Sequence, residues 1–361
     1  MSTIKVTNIE HASTGDGGIQ LDNAGHVTVD GQQMPTAGPL SNRNLIINGA
    51  MRVAQRGTSS TSTGYQTVDR FSGNWGQGAV TQTQEDLTTG DPFNSGFNHF
   101  FRLQNTTAST DAAAYREVLY RFEGQDIRNS GWTYKSSSSY ITLSFWVRAS
   151  VAQDYYAFVE SQDGTNRIYT FPFTLAADTW TYVTETIPGD PSMQVDNDNG
   201  LGFVVNIIAF NGTDYTDSSN TDRTWRNRSG SGDYLLNMTN TWANTANATF
   251  DVTGVQLEVG EKATPFEHRS FNDELQRCLR YYEENPTTQD LFRVYPGGSS
   301  VSVAYSYIWN VEKRVAPTVT IGSKAPSSFA ETIDKYGAYY KRSGSVTSYK
   351  VTGPITADAE L

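Results

Sequence analysis

A single cysteine, Cys278, stands in 361 residues, so neither an intrachain disulfide nor a cysteine-rich metal site can supply stability. Charge is scarce as well. Asp, Glu, Lys and Arg make up 18% of the chain, against the ~25% usual in globular proteins, and the polar surface must come from Ser, Thr, Asn, Gln and Gly. Basic residues are the smaller share, 27 against 38 acidic, for a net charge of −11; nucleic acid and anionic membrane surfaces are repelled by that balance. No apolar run approaches the ~18 residues of a membrane span, so no membrane insertion is expected. The start, MSTIKVTNIEHAST, has no basic head or apolar stretch of a secretion signal, which implies synthesis in a cytoplasm.

Recognisable catalytic patterns are missing too. His11, His26, His99 and His268 lie far apart and show no zinc-ligand spacing. There is no Gly-x-Ser-x-Gly elbow, P-loop or dinucleotide fingerprint, and no cofactor is expected. Asp154, Glu160, Asp163 and Asp214 could be nominated as a glycosidase pair, because such carboxylates come from distant strands. At strand ends and in Asp-Gly turns, however, acidic residues are mostly turn formers. DNDNG, residues 196–200, offers oxygens for calcium but lacks the closing Glu and flanking helices of an EF-hand, so a solvated turn is expected.

What the chain has is aromatics (20 Tyr, 17 Phe, 7 Trp) and turn residues, which favour a mainly β protein. Residues 1–41 hold a small hairpin, Ile19 and Leu21 alternating into DNAG and Val27 and Val29 out of it, followed by a polar linker. Alone it is marginal, so it is expected to lie on something else. Residues 42–267 read as a jelly-roll β-sandwich. NLIINGAMRVAQRG is predicted as strand, Asn48-Gly49 turn and strand. YITLSFWVRAS alternates Ile141, Leu143, Phe145 and Val147 against Thr142, Ser144 and Arg148, with Trp146 the one large apolar residue on the other face. DYYAFVESQDG, RIYTFPFTL, TWTYVTETIP, LGFVVNIIAF and ATFDVTGVQLEVG supply further strands. Arg56 and Glu258, in the opening and closing strands, are expected to pair.

Residues 268–286 switch to helical spacing. Ser270 caps the start and Asn285-Pro286 stops it, with Leu275, Cys278, Leu279 and Tyr282 on one face. Cys278 is expected to be a small buried hydrophobe. Residues 287–361 read as a small C-terminal β domain of about five strands, with Val301 to Val311 alternating over a long stretch.

The loop NGTDYTDSSNTDRTWRNRSGSGDY carries Tyr215, Arg223, Trp225, Arg226 and Arg228, an aromatic face with amide and guanidinium donors that suits a sugar. The competing reading is that Trp225 anchors the loop on the sandwich.

Two blocks, NLIINGAMRVAQRGTS with YQTVDRF and GVQLEVGEKATPFEHRSFNDELQRCLRYYE, resemble a family of bacteriophage tail-fibre and related virion proteins. YITLSFWVRAS and TWTYVTETIPG are similar to strands of jelly-roll carbohydrate-binding modules. The resemblance implies a non-enzymatic tail-fibre protein of the virion, joined to other phage tail proteins through its N-terminus and adhering to a host-surface receptor, a glycan. The resemblance transfers no particular ligand; from the residues themselves, a homotrimer with Ile19, Leu21, Val27, Val29, Leu275, Leu279 and Tyr282 in assembly contacts is expected, and Tyr215, Arg223, Trp225 and Arg226 of the long loop are expected to bind the ligand. The alternatives are a glycan-degrading tailspike, whose long β-helix repeats are absent here, and a structural head or collar fibre.

Overall fold

The computed structural model describes residues 8–9, 18–21, 27–29, 32–33, 42–295, 301–325, 329–344 and 349–361. At the N-terminus β1 (Asn8–Ile9), β2 (Ile19–Leu21), β3 (Val27–Val29) and β4 (Gln32–Gln33) form a small antiparallel sheet. Its centre is the expected hairpin, with Ile19 opposite Val29 and Leu21 opposite Val27. Ile19 and Leu21 are exposed; the DNAG turn and the side chain of Val29 lie outside the described residues.

The body is a jelly-roll sandwich. Its strands are β5 (Ser59–Ser60), β6 (Phe71–Gly76), β7 (Ala79–Asp86), β8 (His99–Thr107), β9 (Tyr115–Glu123), β10 (Tyr140–Ala149), β11 (Gln153–Ser161), β12 (Arg167–Leu175), β13 (Thr181–Pro188), β14 (Leu201–Asn211), β15 (Arg226–Asn227) and β16 (Thr249–Val259). The first sheet has the order β13-β10-β16-β8-β7-β5 and the second β15-β12-β11-β14-β9-β6. From β6 to β14 the chain crosses between sheets at every connection except β7 to β8 and β11 to β12. The period-2 alternation in β10 sends Ile141, Leu143, Phe145 and Val147 into the core, where they meet Val118, Tyr120 and Phe122 of β9 and Phe203, Val205 and Ile207 of β14. Each such side chain contributes about 1.5–3 kcal/mol when fully buried. Val255, Leu257 and Val259 fall on β16, which lies in the interior of the first sheet between β10 and β8 and does not close its edge.

The opening block is not the strand, turn and strand that its alternation predicts. Residues 44–57 run without ladder partners because buried Asn48, at φ 61, takes over their hydrogen bonding. Its amide donates to the carbonyls of Val53 and Asp69, each at 2.9 Å, and its Oδ1 accepts from the N–H groups of Arg52 and Val53, each at 2.9 Å. Such a local side-chain alternative outcompetes a ladder. Gly49 is required beside it, since a Cβ there would meet the Val255 carbonyl at 2.1 Å.

The helix spans Phe271–Leu279, with the Ser270 hydroxyl accepting from the Asp273 N–H at 3.1 Å. It is shorter than expected. Tyr282 opens strand β17 (Tyr282–Asn285) and leaves the predicted stripe, because the C-terminal strand Tyr349–Asp358 offers it a ladder and the Arg56 guanidinium covers its ring at 3.6 Å. Tertiary pairing overrides local periodicity here. Cys278 and Leu279 are buried within this chain, Leu275 is half-buried and Phe271 exposed.

The C-terminal unit contains β17, β18 (Asp290–Val294), β19 (Val301–Ile308), β20 (Thr318–Ala325), β21 (Ala330–Ile333), β22 (Gly337–Gly344) and β23 (Tyr349–Asp358), more strands than the five expected. β23 pairs with β17, β18 and β20, while β19, β22 and β21 form a second sheet. Trp309, Phe329, Tyr340, Tyr349, Val351 and Ile355 form its core.

Sandwich and C-terminal unit meet at a buried, charged joint. Arg70, 0% exposed, pairs with Glu360 and lies 3.5 Å over the Tyr281 ring. Arg56 does not reach Glu258. It pairs with Asp358 at 3.0 Å and faces Glu360 at 3.6 Å and Asp69 at 3.9 Å, whereas Glu258 accepts from Gln256 and from the backbone and hydroxyl of Thr264. The expected pairing fails because residues 44–57 are not a strand beside β16. Glu123 accepts from Arg280 twice and from the Tyr281 hydroxyl, all at 2.7 Å. Burial pushes that carboxyl up, but these donors outweigh it and hold it below its usual range.

Candidate functional site

The outward positions of β10 are Thr142, Ser144, Trp146 and Arg148, and register places Trp146 directly opposite Tyr182 of β13. The two rings lie 5.1 Å apart at 42°. Tyr182 is 43% exposed, so this pair is on the surface although its strands are core elements. On the other side of β10 the register with β16 shifts between Ser144 and Trp146. Gly254 sits at that irregularity with φ 62, a conformation that favours glycine, and a Cβ on it would strike the Phe97 ring at 2.7 Å.

Phe97 is thereby let in under the sheet face, where it meets Phe266 edge-on at 4.8 Å and His268 at 5.0 Å. The segment after β16 folds back over the sheet to deliver those two rings. Its anchor is Glu258, which accepts from the Thr264 N–H at 2.8 Å and hydroxyl at 2.6 Å. His268 Nε2 lies 3.1 Å from the Ser95 carbonyl, an oxygen that only accepts, so Nε2 is the donor there. Trp146, Tyr182, Phe97, Phe266, His268 and Thr264 thus line a groove of about 500 Å³. Its walls are ring faces and its rim holds a few polar atoms, an arrangement that fits a flat ligand with one apolar face.

The four loop residues proposed from the sequence lie elsewhere, in two pairs, Arg223 with Trp225 about Tyr169 and Glu185, and Arg226 with Tyr215 about Tyr234. Trp225 donates its indole N–H to the Pro188 carbonyl at 2.6 Å and packs 5.5 Å from Tyr169. Arg223 bonds Glu185 and the Pro172 carbonyl. Arg226 donates to the carbonyls of Asp233 and Tyr234 and to Thr170. Tyr215 packs edge-on against Tyr115 at 5.6 Å. Together they fasten the loop to both sheets, to β9 and β12 of the second and to β13 of the first. The groove residues could have been found in the sequence from one sign, a Trp at the outward position of an otherwise apolar-in strand, with Tyr182 outward on the next strand of the same sheet.

The nominated carboxylates are also dispersed. Asp154 accepts from Thr174, Asp163 from the Asp196 N–H at 2.8 Å, and Glu160 pairs with Arg228, while Asp214 lies in a short 3-10 turn. In 196–200 Asp198 accepts the Gly200 N–H at 2.9 Å, closing a tight turn, and no group of three metal-ligating side chains occurs among the described residues. His99 faces Asp86 at 3.2 Å; His11 and His26 lie outside the described residues. Cys278 is fully buried, which pushes its thiol well up and keeps it protonated. No helix among the described residues is long and apolar enough to cross a membrane.

No known family matches this chain, and no curated protein does. Among solved structures it is similar to the enzymatically active domain of tailspike protein 4 of bacteriophage CBA120, at 10% identity over 60% of this chain and 21% of that one, with a TM-score of 0.32. It is similar also to the family 11 carbohydrate-binding module of a Clostridium thermocellum cellulosomal cellulase, at 13% identity over 59% of this chain and 98% of that one, TM-score 0.28. The tripod from the baseplate of bacteriophage Tuc2009 matches at 12% identity over 91% of this chain and 92% of that one, TM-score 0.27. The chain spans about a fifth of the tailspike chain it matches.

Proposed function

We propose that this protein is a non-enzymatic, glycan-binding component of a bacteriophage tail, held to the virion through its N-terminal residues, and that the aromatic groove is where it takes a host-surface sugar. The observation that carries the reading is the outward Trp146–Tyr182 pair, continued into a groove by Phe97, Phe266 and His268. A pyranose presents a face of C–H groups that stacks on such rings and an edge of hydroxyls for the rim. No acidic side chain is among the described residues lining the groove, which supports binding over hydrolysis. The resemblance of the two sequence blocks to tail-fibre proteins supports the virion setting, and a homotrimer, about three times 39.8 kDa by light scattering, belongs to the same proposal.

The test uses the full chain against host-surface polysaccharide, with tryptophan fluorescence and surface plasmon resonance as readouts. Trp146→Ala is expected to weaken binding at least about fivefold, one stacked ring being worth roughly 1–3 kcal/mol, while the circular dichroism spectrum stays unchanged. Wild-type affinity in a folded Trp146→Ala protein would remove the groove from the function. Release of reducing ends from the polysaccharide would overturn the non-enzymatic reading.

A further inference from the structure

The outer face of the second sheet carries a different surface. Register sets its side chains in three rows across adjacent strands: Asn74, Glu117, Ile208 and Tyr156; then Leu119, Asn206 and Phe158; then Arg121, Val204 and Glu160. The loop that follows β14 closes one side with Arg228 and Tyr234, leaving a cleft of about 250 Å³. Its floor is apolar in the middle, with Leu119, Phe158 and Val204, and polar at both ends.

Some of the polar groups are matched within the chain. Glu160 pairs with Arg228 and accepts from Asn166 at 3.0 Å, and Arg228 lies 5.0 Å over the Tyr234 ring. Arg121 donates to the Tyr65 hydroxyl at 3.2 Å, one bond for a group with five N–H donors. Asn206 is different. It is 2% exposed and lines the cleft, and its Oδ1 has no hydrogen-bond partner. A buried carbonyl oxygen left so is rare and costly. Beside it, burial pushes the Glu117 carboxyl up while hydrogen bonds from the Asn206 and Asn211 side chains and the Arg121 charge pull it back.

We infer that this cleft is a second ligand site, which binds a neutral pyranose through neighbouring hydroxyls. A hydroxyl donates and accepts at once. One supplies the donor that Asn206 Oδ1 lacks, its neighbour adds a further donor to the Glu117 carboxylate, and both accept from the spare N–H groups of Arg121, while the C–H face of the ring rests on Leu119, Phe158 and Val204. The cleft lining holds two carboxylates, Glu117 and Glu160, and two guanidinium groups, Arg121 and Arg228, whose charges balance, so no net field favours an ionic sugar over a neutral one. The site lies on the sheet opposite the aromatic groove, shares no residue with it and does not depend on it.

The experiment titrates the full chain, as wild type and as Trp146→Ala, with methyl α-glucopyranoside, methyl α-mannopyranoside and methyl β-galactopyranoside, and with methyl glucuronide and glucosamine as charged counterparts. Saturation-transfer NMR and calorimetry are the readouts. At least one neutral glycoside is expected to bind Trp146→Ala as it binds the wild type, and at least about tenfold more tightly than either charged sugar. Asn206→Leu should weaken that binding about tenfold or more, and the isosteric Glu117→Gln should weaken it several-fold and narrow the discrimination against the glucuronide. Absence of any neutral binding in folded Trp146→Ala, equal binding of charged sugars, or unchanged binding in both Asn206→Leu and Glu117→Gln would overturn the inference. Loss of polysaccharide binding in Trp146→Ala together with no neutral glycoside bound by that folded variant would leave the groove standing and the cleft refuted.

Discussion

The joint between sandwich and C-terminal unit and the cleft on the second sheet are built from the same kinds of side chain: arginine, glutamate, tyrosine and a few amides. They differ in where the unmet capacity points. In the joint, Arg56 Nη1 and Glu360 Oε1 make no hydrogen bond, yet they face each other at 3.6 Å and answer each other's charge. Arg70 is closed off between Glu360, the Arg121 carbonyl at 2.6 Å and the Tyr281 ring. In the cleft, Asn206 Oδ1 has no such counterpart and opens on a cavity. Composition alone would call both sites functional. Partner by partner, the first is a fastening and the second is a place that lacks a ligand's donors.

Breaking the fastening should have the largest effect. Glu360→Ala leaves Arg70 buried without its carboxylate and deprives Arg56 of one of its three, and removing one partner of a buried pair costs about 3–5 kcal/mol. Urea denaturation should show a correspondingly lower midpoint, and limited proteolysis should release the C-terminal unit first. A loss under about 1 kcal/mol would mean that solvent reaches Arg70 and that the joint is no more closed than the cleft. Next comes Asn48→Ala, which strips two carbonyls and two N–H groups of partners in the opening segment; about 3 kcal/mol is expected, since each unsatisfied buried group costs about 1–3 kcal/mol and the segment relaxes in part.

That opening segment also shows what was legible beforehand. YITLSFWVRAS, with its alternation, is where its pattern puts it, because a period of 2 with one buried face is a physical property of the strand itself, and LGFVVNIIAF, a near-continuous apolar run, is a strand buried on both faces. The Ser270 cap was legible for the same reason: its effect is local. Where a distant partner decides, the pattern misleads. Asn48 reads as a turn residue, but it is a hub reaching Asp69, and Tyr282 reads as a fourth helical contact, but β23 pulls it into a sheet. The cleft was half visible. Glu160 stands out as a carboxylate and Arg228 as a loop cation, whereas Glu117 and Asn206 are indistinguishable in sequence from solvent-facing strand residues, and only the sheet register brings them side by side.

A smaller effect separates charge held by partners from charge held by burial. Burial pushes Asp69 up to about 6, against its hydrogen bonds from Gln55. Burial, helped by the neighbouring charge of Glu123, likewise pushes Asp126 up to about 6. Both carboxyls bind protons more tightly in the folded chain than in the unfolded one, so between about pH 4 and 6 the native state holds more protons. The penalty of ionising them is fully present above pH 6 and is relieved as pH falls through it, and their contribution to stability therefore rises from pH 7 towards 5. Asp126→Asn should raise stability at pH 7.5 by on the order of 1 kcal/mol and flatten the slope between pH 4 and 6. An unchanged pH profile would show that Asp126 is solvated.

The smallest effect is the most telling, because for a structural amide it would be large. Asn206→Leu keeps the side-chain volume, and register places it between Leu119 and Phe158, two apolar neighbours that a leucine suits. The substitution removes an acceptor that has no partner, so no bond to it is lost and the desolvation cost of a buried carbonyl is relieved. Against this, Glu117 loses the help of the neighbouring amide and its carboxyl rises further. The two contributions oppose each other, each of the order of the 1–3 kcal/mol of a buried polar group, and stability should move by no more than about 1 kcal/mol either way. Asn48→Ala, also at a buried asparagine, should move it several times as far. If the two asparagines cost the same, Asn206 is tied into the fold as Asn48 is, and the contrast between joint and cleft fails. A small change in stability together with a loss of sugar binding is what a residue held ready for a ligand would give.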